Sequence, residues 1–425
     1  MNLAEKILAR ASGRQKVEPG EVVVAKVDRL IMHDFSAYLT SRVFDEKVGL
    51  PIPDPKRIIT VFDHLFSAPT EYQANVLKHN REWTHKHGAT LFDSGTGNIH
   101  HAAMRSGMIL PGMIVVGSDS HTTVHGTVGA FAVALGNDSH AGTVIPHGKA
   151  WFKVPETERI VLNGVPPQGT NARDIALWLV NQLGEGSMIY KSLEFTGPYM
   201  KGLSFWDRWL FPLLCVDLGA KCSFIEPDDV TRNFVMSVPG GNLDMLELSD
   251  AGEARAVREF DVSEVSPQVA CPPTVGNTKS VDSVAGTAIQ FAELGGHGGG
   301  RLEDFVMAAD VLRGRRIHPD VRFNLVPSSR EVFSEALAAG IVAELHEAGA
   351  TWFPPSTGSN QASNMGAMAA GEAMISTHAR NYPGRNGSPD ASMFLASALT
   401  VASAALAGHI ADPRETLVQS KEKQL

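Results

Sequence analysis

Three short stretches of this chain carry acid/base side chains at close spacing. Asp63 and His64 sit in FDHLF, His100 and His101 in GTGNIHHAAM, and Asp119, Ser120 and His121 in GSDSHTT. An Asp that accepts a hydrogen bond from one imidazole nitrogen fixes the tautomer and leaves the other nitrogen to act as acid, base or metal ligand. A single such His at a strand end is more often a satisfied polar residue, but the set together predicts one polar pocket. Late in the chain, STHARNYPGRNG (376–387) places Arg380 and Arg385 in a turn-rich loop. Their forked guanidinium groups suit a two-point grip on carboxylates, with ordinary surface charge as the bland alternative. The long polar loop PPSTGSNQASNMGAM (354–368) points to a ligand-facing role.

The elements that must position these groups read as strands and helices in alternation. RIITVFDHLF (57–66) is a buried strand ending in polar residues, and GMIVVGSDSHTTVHG (112–126) repeats that design. Each delivers an Asp to a strand's carboxyl end, where ligands bind in open α/β sheets. TERIVLNG (157–164) reads as a further strand and NARDIALWLVNQLG (171–184) as a capped amphipathic helix. TAIQFAEL then runs as a strand into LGGHGGGRLEDF (294–305), where five glycines surround His297. Leu302, Phe305, Val306, Ala309 and Leu312 continue at helical spacing. A glycine turn opening a helix aims backbone N–H groups at an anion, although neither familiar phosphate motif fits here. Pro- and Gly-rich stretches near 238–242 and 272–277 read as linkers. ASMFLASALTVASAALAG (391–408) carries no charge, and its Ala and Ser predict a close-packed buried helix rather than a membrane span. The class expected is α/β.

Bulk properties narrow the possibilities. A chain of 425 residues exceeds one ordinary core, so two or three domains are expected. With 43% hydrophobic and 20% charged residues the composition is that of a soluble globular protein. The formal net charge of −9 argues against nucleic acid as the main partner. Cys215, Cys222 and Cys271 make no disulfide framework and match no zinc or iron–sulfur spacing, so three buried thiols in a reducing cytoplasm are expected. The opening residues show no apolar signal region.

Together, LAEKILARASG, VFDHLF, PGMIVVGSDSHTTVHGTVGAFA, GAKCSFIEPDD, ARNYPGRNG and LAGHIADPRE resemble, in order, the large subunit of the aconitase superfamily, of the 3-isopropylmalate dehydratase and homoaconitase kind. The resemblance covers nearly the whole chain. It implies three α/β domains around a central cleft, intertwined domains 1 and 2 over 1–285 and domain 3 over 286–425, with a swivelling fourth domain on a separate small subunit. By the same resemblance, His64, His100, Asp119 and His121 match acid/base and hydrogen-bonding residues, and Asp217 stands where the family has a Glu near the iron-bound water. Arg380 and Arg385 match carboxylate-binding arginines, and Ser120, Thr357 and Asn360 join them as candidate substrate contacts.

The same alignment puts His297, Thr357 and Asn360 at the three positions of the family's cluster cysteines. Such a set is not expected to hold a [4Fe–4S] cluster. A relative without the cluster must replace its Lewis-acid contribution. It could recruit one divalent ion, Zn or Fe, through His297 with neighbouring His or Asp. It could instead rely on hydrogen bonds and arginines. The expected function is a cluster-independent hydro-lyase or isomerase of a small hydroxy di- or tricarboxylate. The alternative is a non-catalytic carboxylate-binding or partner-binding subunit. No nucleic acid and no membrane partner is expected.

Overall fold

The computed structural model describes residues 1–250, 252–360 and 365–422, with side chains through 417. It is an α/β protein of two compact units, one comprising 1–94, 99–164 and 186–261, the other 95–98, 165–185 and 262–425.

The first unit is built on a five-stranded parallel sheet in the order Thr90–Phe92, Ile58–Val61, Arg29–His33, Ile114–Gly117, Phe131–Ala134. Ile58–Val61 and Ile114–Gly117 are buried along their whole length, which is why they read as unbroken apolar runs: a parallel strand is covered on both faces. The chain steps outward from Arg29–His33 to Ile58–Val61 and Thr90–Phe92, then returns to the other side of Arg29–His33 for its last two strands. The reversal lies between Arg29–His33 and Ile114–Gly117, and the carboxyl ends of strands at such a point are where ligands bind in open α/β sheets. A second parallel sheet runs Cys222–Ile225, Ser192–Thr196, Thr157–Asn163, Ala256–Asp261.

The second unit carries a seven-stranded sheet in the order Thr278–Ser280, Gln268–Ala270, Ser392–Ala396, Ala373–Ser376, Phe291–Leu294, Arg322–Leu325, Thr351–Trp352. Its last five strands are parallel. Strand order reverses here too, between Phe291–Leu294 and Ala373–Ser376. The helix Ala172–Leu183 is capped as expected, Asn171 accepting from the Arg173 amide and Asp174 accepting from the Asn171 amide.

Three local readings change. The uncharged stretch 391–408 is not one helix but the strand Ser392–Ala396 followed by the helix Ala398–Ala407. Its large residues Met393, Phe394 and Leu395 enter the sheet ladder, while the small residues after Ser397 let a helix pack closely in the core around Phe305 and Ala309. No helix among the described residues is long and apolar enough to cross a membrane. Residues 272–277 are not a linker but the turn of the hairpin that pairs Ala270 with Thr278. The glycines of 295–300 are required by close approach: a Cβ on Gly299 would lie 1.9 Å from Thr377 Oγ1, and one on Gly300 would lie 2.1 Å from Val326 O. Packing of the turn against neighbouring strand ends accounts for these two glycines without any bound anion.

His140, in the π-helical turn His140–Val144, is fully buried, and neither ring nitrogen has a hydrogen-bond partner. Burial lowers its pKa to about 4 from an ordinary 6.5. As pH falls below 6.5 the unfolded chain gains a proton that the folded chain refuses, so stability is lost between pH 6.5 and 4, by roughly 3 kcal/mol in all. His140→Met is expected to flatten the fall of Tm across that window. An unchanged pH profile would show that His140 is not the group responsible.

Candidate active site

In the first unit the polar residues meet at the carboxyl ends of the strands where order reverses in the five-stranded sheet. Asp34 follows the strand Arg29–His33 directly, and its buried Oδ2 accepts from the amides of Asp63, His64 and Leu65 at 3.1, 3.1 and 2.8 Å. This carboxylate shapes the turn that carries Asp63 and His64. Asp63 then works in two directions: Oδ1 holds His64 Nδ1 at 2.8 Å, and Oδ2 accepts from the Ile99 amide at 2.7 Å. That amide opens the short helix Ile99–Arg105, which presents His100.

Asp119 is the centre of the group. Its Oδ1 meets His100 Nε2 at 3.1 Å and His121 Nδ1 at 3.2 Å, and accepts from the His121 amide at 2.7 Å. Its Oδ2 faces His64 Nε2 at 3.9 Å. His33 stacks on His64 with ring centres 4.1 Å apart. The far nitrogen of His100, Nδ1, meets His125 Nε2 at 3.3 Å. Burial disfavours charge on His64, but the carboxylates of Asp63, Asp34 and Asp119 outweigh it and raise its pKa to about 9. His125 goes the other way: burial, reinforced by His100 beside it, keeps it neutral.

The second unit has its own polar nest at its own reversal point. Glu293 on Phe291–Leu294 and His378 just beyond Ala373–Ser376 form a buried pair at 2.6 Å. Glu293 Oε1 also accepts from the Ser359 amide at 3.0 Å, and a Cβ on Gly358 would fall 2.3 Å from that oxygen. Arg173 is buried and donates to the carbonyls of His378, at 3.2 Å, and Gly298, tying the two loops together. Burial lowers its pKa to about 10, which still leaves it charged at neutral pH. Arg385 donates to Tyr382 Oη at 2.9 Å and to Asn360 Oδ1.

Of the residues singled out from the sequence, His64, His100, Asp119 and His121 converge, with Ser120 Oγ 3.5 Å from His121 Nδ1. Thr357, Asn360 and His297 are buried in the second unit, where Arg385 touches Asn360 and Arg380 is half-buried. Asp217 lies in the turn after the helix Leu210–Leu214, near Cys215. His101 turns away from the Asp119 cluster to stack on Trp206 and pack on Trp209. Of the polar loop 354–368, Ser356, Thr357, Ser359 and Asn360 are buried, and 361–364 lie outside the described residues. Sequence reasoning missed His33, Asp34, His125, Arg173, Glu293 and His378. His33 and Asp34 carried the same signal as Asp63 and His64, a His–Asp pair at the end of an apolar strand.

Asp34→Asn puts an amide where a carboxylate accepts several N–H groups, and charged acceptors contribute about 1.5–3 kcal/mol per bond. The variant is expected to be destabilised by about 2–4 kcal/mol, with the amides of residues 63–65 losing hydrogen-exchange protection first. Wild-type protection there would refute the role given to Asp34.

Comparison with known proteins agrees with this architecture. The aconitase family model (aconitate hydratase) matches residues 5–408. The chain is 37% identical to a probable methanogen homoaconitase large subunit of Methanothermobacter thermautotrophicus, over 98% of each chain. It is also 37% identical to 3-isopropylmalate dehydratase large subunit 1 of Methanopyrus kandleri, over 98% of this chain and 99% of that one. Among solved structures, the holo-form of Thermococcus kodakaraensis aconitase X aligns over 84% of both chains with a TM-score of 0.50 at 12% identity, a likeness of fold alone. A family match over nearly the whole length, with full-length relatives well above a third identical, leaves one conclusion: this chain is a member of the aconitase family.

Proposed function

We propose that this protein is the large subunit of a cluster-independent hydro-lyase or isomerase acting on a hydroxy di- or tricarboxylate that resembles isopropylmalate, citrate or homocitrate. The observation that carries the reading is the Asp119 cluster, in which one carboxylate gathers His100 and His121 and faces His64 at the carboxyl end of a parallel sheet. Dehydration beside a carboxylate needs a proton taken from carbon and another given to the departing hydroxyl, and hydration runs the same two transfers in reverse. Imidazoles oriented by carboxylates are suited to both transfers. Arg380 and Arg385 would hold substrate carboxylates, with Ser120, Thr357 and Asn360 as further contacts. The relatives are named as large subunits, which supports a small-subunit partner carrying the swivelling fourth domain.

The residues present do not fit a cubane cluster. Cys222 sits in the hydrophobic core of the first unit and Cys271 in that of the second. Cys215 donates from Sγ to the Phe211 carbonyl at 3.2 Å. Burial raises all three thiols, Cys222 to about 12, as expected of cysteines spent on core packing. At the positions implied for cluster ligands stand the nitrogen and oxygen donors of His297, Thr357 and Asn360. His297 is a candidate ligand for a single divalent ion.

Two measurements test this reading. Arg380→Lys is expected to lower kcat/KM for a hydroxydicarboxylate about 30- to 1,000-fold, equivalent to 2–4 kcal/mol, because a point charge cannot reproduce a bidentate fork. Unchanged kcat/KM would count against its role. The purified protein is expected to be colourless and insensitive to air. Absorbance near about 400 nm, with about four irons and four sulfides per chain, would overturn cluster independence.

A further inference from the structure

We propose that His33, His64 and Asp119 bind one divalent transition-metal ion, Zn²⁺ or Fe²⁺, within the first unit. One ligand atom from each residue lies within 4.8 Å of the other two, and all three side chains are buried or nearly so. The 3.9 Å between His64 Nε2 and Asp119 Oδ2 is too long for a hydrogen bond. It is about 0.5 Å wider than the edge of a tetrahedral site with bonds of about 2.0–2.1 Å. A small inward movement of either side chain would close it on an ion.

The surroundings are those of a ligand set. Metal-binding histidines generally engage their second nitrogen with an outer acceptor, which fixes the ring and the tautomer. His64 does so through Nδ1 and Asp63 at 2.8 Å. His33 Nε2 meets Ser36 Oγ at 3.0 Å, and His33 Nδ1 is buried with no hydrogen bond. Asp63 and Asp34 are themselves fixed by backbone amides, so the ligands need little reorganisation. Asp34, Asp63 and Asp119 together create a field that favours a cation. Two imidazoles and one carboxylate suit Zn²⁺ or Fe²⁺ better than Mg²⁺ or Ca²⁺. Three protein ligands leave a position open for water or for a substrate hydroxyl or carboxylate, the pattern of catalytic rather than structural sites. The inference deepens the proposed function, supplying at this site the Lewis acid that a missing cluster would otherwise provide; His64 gives up its Nε2 proton to become a ligand and proton transfer passes to the other histidines of the cluster, and the inference rests on that reading only for the ion's use.

The test is metal binding by the whole chain. Chelator-stripped protein is titrated with Zn²⁺ and, for a visible d–d spectrum, with Co²⁺, and bound metal is measured by elemental analysis. One tightly held ion per chain is expected. His33→Ala, or His33→Gln should the alanine variant fold poorly, is expected to weaken binding by about tenfold or more. No tight ion in the wild type, or wild-type affinity in both His33 variants, would overturn the assignment. Turnover by protein that binds no ion would remove the site while leaving the proposed function standing. Tight binding without turnover of any hydroxycarboxylate would do the reverse.

Discussion

The carboxylate of Asp34 is the constraint on which the first unit's chemistry depends. It is fully buried, and a buried charge is tolerated only where hydrogen bonds replace its water. Three consecutive amides, those of Asp63, His64 and Leu65, supply them. The turn after Ile58–Val61 therefore has one way to run, and that path aims His64 toward Asp119. Asp63 extends the constraint by holding both the His64 ring and the start of the helix that bears His100. Positioning passes from backbone to side chain to backbone, so no catalytic candidate in this cluster depends on its own rotamer alone.

The two units solve the same problem separately. In the five-stranded sheet of the first unit and in the seven-stranded sheet of the second, strand order reverses once among the parallel strands, and the polar residues collect at that reversal. The geometry of a parallel sheet explains why. Helical crossovers cover the sheet's faces, while the two loops that diverge at a reversal leave a space that no crossover fills. In the first unit the space holds an aspartate shared by histidines. In the second it holds the Glu293–His378 pair and the buried Arg173, with Gly358 required beside Glu293. Removing one partner of such a pair would leave a buried polar group without its hydrogen bond, which costs more than the bond itself contributes.

Cys215, Cys222 and Cys271 do not stand at the positions that the family resemblance implies for cluster ligands. They are core residues, made less acidic by burial, and the positions implied for cluster ligands carry harder donors. Nitrogen and oxygen ligands select single divalent ions over iron–sulfur clusters. The cluster-independent chemistry proposed above would draw on histidines and carboxylates such as those the first unit gathers at its strand ends.

By itself the sequence determined the α/β class, the strands that end in Asp63 and Asp119, and the family, because apolar periodicity and motif order are local and linear properties. It also marked His64, His100, Asp119 and His121 as a set. What it did not contain was distance. His100 and His101 are neighbours in the chain, yet the first meets Asp119 while the second packs between tryptophans; one residue of helix turns a side chain by about 100°. The uncharged stretch 391–408 was legible as buried but not as strand plus helix, because sheet pairing with Ala373–Ser376 decides its first half. Glu293 and His378 lie 85 positions apart, and their strands are neighbours only because Arg322–Leu325 and Thr351–Trp352 were placed on the other side of Phe291–Leu294. Strand order is a property of the assembled sheet. Tertiary structure alone therefore decided which acid met which base.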